Sequence, residues 1–269
     1  MLEEHCNRRR FLGAGIALVA AELAMIGFAK SGKTAPSELP RIESGLSSLN
    51  SATEWINSQR LTSAGLRGKV VLINFCTYTC INWLRSLPYI RAWAKKYKNH
   101  GLVVIGVHTP EFTFEKDVAN VRRAIQDMRI DYPVVIDNDY TIWDAFQNNY
   151  WPASYFIDTK GVIRHYQFGE GEYEQSEKII QQLLAKSGIK DVDQQLVSVN
   201  SIGVEAAADW GNLKSPENYL GYDRTENFSS PGRTVLAKAH VYTLPESLKL
   251  NQWALSGNWT LHKKAIVLN

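Results

Sequence analysis

Cysteine is scarce in this chain, with three residues in 269: Cys6, Cys76 and Cys80. That excludes a small disulfide-stapled scaffold, whose framework needs several pairs. Charge of one sign is also scarce, with 30 Lys and Arg against 27 Asp and Glu. A net charge of +3 without a dense basic stripe gives no case for a nucleic-acid partner. The His, Asp and Glu residues fall at no compact ligand spacing, so no metal is expected. A glycine-rich nucleotide loop is missing too, and no cofactor is expected. Internal repeats and low-complexity tracts are absent. What remains is a chain long enough for one to two domains. It is 45% hydrophobic and carries eight tryptophans, enough to fill a core.

The N-terminus holds a basic cluster, Arg8-Arg9-Arg10-Phe11-Leu12, ahead of an apolar stretch ending at Ala29. This resembles a twin-arginine export signal over residues 1–29, with Gly27-Phe28-Ala29 as a small-x-small cleavage site. The alternative is an uncleaved anchor, which would associate the protein with a membrane and leave it facing outward. Glu22 argues against spanning, since an acidic residue near the centre of a spanning helix costs about 2.5–3.5 kcal/mol. Cleavage would remove Cys6 and release the mature chain into the periplasm or another oxidising extracytoplasmic compartment. Residues 30–50 are small and polar and read as a linker.

From there the pattern alternates. Residues 52–57 have helix-start character and can cover a sheet edge. Strand 69–76 precedes helix 81–99, strand 102–107 precedes helix 114–127, and strand 134–136 precedes helix 140–147. Strands 155–158 and 162–168 form a hairpin around Thr159-Lys160-Gly161, and helix 173–187 follows. The order predicts an α/β domain over 51–190, a central mixed sheet flanked by helices. Residues 191–269 change character, with short β-like runs at 234–237 and 263–268. They read as an incomplete β-rich segment whose aromatics pack a core.

Cys80 lies at a strand-to-helix turn. The first N–H groups of a helix lack internal partners and carry partial positive charge, which favours the reactive thiolate. Cys76 sits in an apolar strand and reads as a small buried hydrophobe. An extended path from Cys76 to Cys80 spans about 13 Å. A disulfide needs Cα atoms within roughly 7 Å, so bonding the two would require a sharp reversal of the chain. Position 83, where a Cys-x-x-Cys pair would close, is Trp83.

The segment from Phe75 to Arg85, the helix proline Pro88, the loop Trp151-Pro152-Ala153-Ser154 and the segment from Gly106 to Phe112 together resemble the exported redoxins of the thioredoxin-like superfamily. These are the TlpA- and DipZ-like proteins, related to the peroxiredoxins. The last segment of the chain resembles part of the DipZ-like C-terminal module. The resemblance implies a thioredoxin-like fold and a cis peptide bond before Pro152. It also implies attack by Cys80 on a disulfide or a peroxide. Thr77 matches the threonine of the peroxiredoxin Thr-x-x-Cys pattern, whose hydroxyl serves the thiolate. Glu111 and His108 lie at the same sheet edge and could exchange protons. Arg85, one helical turn on, could stabilise a thiolate. Trp83, Trp151 and Pro152 would line a binding groove. Because Trp83 replaces the second cysteine, an external thiol reductant is the expected partner, with a disulfide-bearing protein or a peroxide as substrate. The rival expectation is a non-catalytic partner-binding domain, with Trp83 adding apolar surface beside Pro152.

Overall fold

The computed structural model describes residues 43–269, except positions 53, 213, 216 and 217. The expected export signal, Cys6 and most of the expected linker lie outside the described residues. Two compact units are present, one ending at Ala207 and one running Ala208–Asn269.

The first unit opens with α1 (Glu43–Ser47) and a 3-10 turn at Ser48–Ser51. Leu46 and Leu49 are buried in the core, so the end of the expected linker is packed structure. Glu54–Ile56 forms β1, an edge strand antiparallel to β4 (Val134–Ile136), where the sequence suggested a helix start. Ladder pairing of three residues outweighs the local helical character there. Between them come β2 (Val70–Cys76), α2 (Ile81–Tyr97), β3 (Leu102–His108) and α3 (Val118–Asp127). A 3-10 turn at Thr113–Lys116 precedes α3, which starts only at Val118 and is capped by Asp117, whose carboxylate accepts the Ala119 N–H. Then follow α4 (Thr141–Ala145), β5 (Ala153–Ile157), β6 (Ile163–Phe168) and α5 (Tyr173–Lys186).

The six strands are ordered β1-β4-β3-β2-β5-β6. β2, β3 and β4 run parallel, while β5 lies antiparallel against β2. This is a thioredoxin-like sheet. β2 is central and buried along its whole length, as its apolar run, interrupted only by Asn74, requires. Its side chains alternate between faces. Phe75 meets Trp143, Phe146 and Tyr155 edge-on, while Asn74 binds Trp83 of α2 on the other face. On that face α2 and α5 are joined by stacking of Tyr89 on Tyr173, with centroids 3.7 Å apart. The buried Glu177 carboxylate accepts from Tyr97, Trp93 and the backbone of Val197. Residues beyond 190 therefore continue to pack on this core, with Val192 buried.

The second unit holds a three-stranded antiparallel sheet of β7 (Ala239–Tyr242), β8 (Gly257–Leu261) and β9 (Ile266–Leu268). The expected run at 234–237 contributes only a single bridge, between Leu236 and Leu261. Tyr242, Leu255 and Leu261 form its small core with Phe228, Trp253 and Trp259. Gly221 has no room for a side chain, since a Cβ there would lie 2.3 Å from the Lys263 carbonyl oxygen.

Candidate active site

The carboxyl end of β2 delivers the chain into a tight turn. Cys80 N–H donates to the Thr77 carbonyl at 3.1 Å, and α2 begins at the next residue. Cys80 is the N-cap of α2, with φ −72° and ψ 111°. Its carbonyl accepts the Leu84 N–H at 2.9 Å, so its sulfur lies at the positive end of a 17-residue helix. The peptide bond between Trp151 and Pro152 is cis. The Cys80 thiol donates to the Trp151 carbonyl, with sulfur and oxygen 3.8 Å apart. The structure therefore brings Cys80, Trp151 and Pro152 together. Trp151 is fixed by its own indole N–H, which donates to the Thr109 carbonyl at 3.0 Å.

The other expected residues are placed differently. Thr77 is fully buried and its hydroxyl has no hydrogen-bond partner, so it makes no bond to Cys80. Trp83 is 2% exposed and offers no surface for docking. Its indole N–H donates to Asn74 Oδ1 at 3.0 Å, and the Asn74 amide donates to Ser154 Oγ at 3.0 Å. Arg85 turns to Glu170, at 2.9 Å, instead of stabilising a thiolate. Burial pushes the Glu170 carboxyl up, and the guanidinium draws it part of the way back. His108 is a packed histidine, 2% exposed, stacked on Tyr78 with both ring nitrogens unpartnered. Burial pushes its pKa down to about 4, against the pull of the Glu115 charge. The backbone N–H of Glu111 donates to Glu115 at 2.7 Å.

Glu115 is the main residue the sequence reading missed. It is wholly buried and accepts from Thr79 Oγ1 at 2.5 Å and from the N–H groups of Glu111 and Phe112. It thus ties the 77–80 turn to the loop after β3. The signal was a glutamate three residues after Phe112, the spacing at which a carboxylate reaches back to cap a turn. Asp137 is a second. Its carboxylate accepts from Ile142 N–H, Trp143 N–H and the Thr109 hydroxyl, yet burial holds its pKa up at about 6. Cys76 is 4% exposed and donates to the Val107 carbonyl at 3.4 Å. Burial pushes its thiol well up, with smaller contributions from Cys80 and Glu115. Cys76 and Cys80 are both thiols, with no disulfide between them. Among the described residues no group of three His, Cys, Asp or Glu side chains could hold a metal ion.

The match to known proteins covers both units. A model of the AhpC/TSA family matches residues 48–166, and one described as a thioredoxin-like C-terminal domain matches 215–269. The DipZ proteins of Mycobacterium bovis and Mycobacterium tuberculosis are each 40% identical over 218 residues. Residues 48–166 carry a redoxin domain of the thioredoxin-like superfamily. The DipZ alignment takes in 79% of this chain but only 30% of the relatives' length. The thiol-disulfide oxidoreductase YkuV of Bacillus subtilis is 29% identical over 133 residues, 49% of this chain and 89% of its own. A solved thioredoxin-like protein in its oxidised form is 30% identical and aligns at a TM-score of 0.46, over 50% of this chain and 90% of that one.

Proposed function

We propose that this protein is an exported thiol-dependent oxidoreductase in which Cys80 is the nucleophile. The observation that carries the reading is the position of its sulfur, at the N-cap of α2 and 3.8 Å from the carbonyl of the cis Trp151–Pro152 pair. The Cys80 thiolate attacks a disulfide, forming a mixed disulfide and releasing a thiolate. With a peroxide it takes one oxygen to become a sulfenic acid and releases water or an alcohol. Position 83 holds tryptophan, so the reducing equivalents come from an external thiol. The names of YkuV and of ResA, both thiol-disulfide oxidoreductases of Bacillus subtilis, support the disulfide branch. The AhpC/TSA match keeps the peroxide branch open. Export rests on the basic N-terminal cluster and the apolar stretch after it. No helix of the described residues is long and apolar enough to cross a membrane.

A second reading, a partner-binding domain without turnover, is favoured by two observations: Cys80 is 7% exposed, and it has no second cysteine at position 83. Peptide mass mapping after limited peroxide exposure separates the two. Oxidation that begins at Cys80 supports the catalytic reading. Oxidation that spares Cys80 while modifying methionines contradicts it.

A further inference from the structure

Along an extended path Cys76 and Cys80 would stand too far apart to bond, but the path is not extended. The hydrogen bond from Cys80 N–H to the Thr77 carbonyl reverses the chain directly after β2. The reversal brings Cys80 back toward the end of the strand that carries Cys76.

Behind Cys76 lies a small cavity of about 10 Å³, lined in part by Cys76, Trp83, His108, Met128 and Tyr132. His108 is the register partner of Cys76 across the parallel β2–β3 ladder, so both side chains leave the same face of the sheet. Neither nitrogen of its ring has a partner, and the same holds for the Tyr132 hydroxyl. Tyr132 covers Gly106, where a Cβ would lie 3.3 Å from its ring and 3.8 Å from Cys76 Sγ. A buried imidazole with no hydrogen bond is costly to keep. The attack by Cys80 leaves both this imidazole and the thiol beside it unused.

We propose that Cys76 is an internal resolving thiol that captures oxidised Cys80 as a Cys76–Cys80 disulfide. This rests on the reading of Cys80 as the nucleophile. After reaction with a peroxide, Cys80 is a sulfenic acid. The Cys76 sulfur attacks the Cys80 sulfur, the S–S bond forms and the S–O bond breaks. The Cys76 proton goes to the departing hydroxide, giving water. From a mixed disulfide the same attack expels the substrate thiolate, which takes that proton. Either way the thiol pair has given two electrons to the peroxide or disulfide. The external thiol then reduces the Cys76–Cys80 bond and restores both thiols.

The resting enzyme keeps Cys76 out of reach. Its sulfur is buried and donates to Val107. Capture requires the 77–80 turn to shift. That turn is held by the Cys80–Thr77 hydrogen bond and the Thr79 hydroxyl on Glu115, while the Thr77 hydroxyl contributes none. A tethered thiol has the advantage of high effective concentration over one from solution. Cys76 is also the one other thiol among the described residues.

The test treats the reduced full-length chain with one equivalent of hydrogen peroxide in the presence of dimedone, then alkylates and maps peptides, with Cys6 followed separately. Wild type is expected to lose alkylation at both Cys76 and Cys80 and to yield a Cys76–Cys80 linked peptide. Cys76→Ser and Cys76→Ala are expected to keep Cys80 as a dimedone adduct instead. A wild-type Cys80 adduct as abundant as in the Cys76 variants overturns the internal thiol while leaving the Cys80 reading intact. Absence of any oxidation at Cys80, in wild type and variants alike, overturns both.

Discussion

The Trp83 indole N–H donates to Asn74 Oδ1 at 3.0 Å, which places a tryptophan where a second redox cysteine would stand and seals it into the core. The bond joins the first turn of α2 to the central strand, two residues before Cys76. Trp83→Phe keeps most of the apolar volume and removes the donor. The expected loss is about 1–3 kcal/mol, because the Asn74 oxygen is left buried and unpaired. Urea unfolding of Trp83→Phe, Asn74→Ala and the double variant checks this. The two losses should be clearly less than additive, with a coupling on the order of 0.5–3 kcal/mol. Additive losses would show that the bond carries no energy.

His108 and Asp137 oppose each other in their pH dependence. The folded pKa of His108 is pushed down to about 4 from 6.5. The unfolded chain therefore binds more protons across that window, and stability falls as pH drops from about 6.5 to 4. Asp137 is raised from 3.8 to about 6, so its contribution is full below pH 4 and is lost as pH rises through 6. Each effect amounts to a few kcal/mol, on the order of 1.4 per pKa unit. Denaturant midpoints between pH 4 and 7 check the signs. Relative to wild type, His108→Phe should gain stability toward pH 4, and Asp137→Asn should gain toward pH 7.

Alkylation of the folded, reduced protein with a limiting reagent should modify Cys80 before Cys76. Burial raises the Cys76 thiol far above its ordinary range, which leaves almost no thiolate to react. Cys76 should become reactive only when the chain unfolds in denaturant. Peptide mapping of the first adduct reads the order, and early labelling of Cys76 would reverse the assignment.

Glu115→Gln should loosen the turn that presents Cys80. The carboxylate holds Thr79 and two backbone N–H groups, and hydrogen bonds to a charged acceptor are worth about 1.5–3 kcal/mol each. Hydrogen exchange should quicken at Glu111 and Phe112, with a smaller effect in the β5–β6 hairpin. Unchanged exchange at both amides would remove Glu115 from the account of the site.

The strands and helices that position Cys80 were legible because their signals are local. A long apolar run marked β2, and Trp151-Pro152 marked the loop that proves to be cis. The polar partners were not legible, since each is joined to the site by tertiary contact. Nothing near Glu115 in sequence announces Thr79, 36 residues away, and nothing near Arg85 announces Glu170, 85 residues away. Trp83 and Arg85 were read from their spacing to Cys80, but packing turned one into the core and the other toward an acid. Asn74 did carry a signal, an amide interrupting a run of apolar strand residues. Such a residue needs buried partners, and here they are Trp83 and Ser154.

The most direct test of the central claim is turnover of hydrogen peroxide and of a model disulfide by wild type and Cys80→Ser, at equal concentrations of an external thiol. Trp83→Cys serves as a third arm, with folding checked first because the lost core volume costs about 3–5 kcal/mol. The account predicts that wild type turns over at least one of the two substrates and that Cys80→Ser turns over neither. Trp83→Cys should gain disulfide exchange, since it restores a second thiol three residues after the first. Wild-type rates in Cys80→Ser would contradict the claim outright. Inert wild type with an active Trp83→Cys would contradict it in favour of a binding domain.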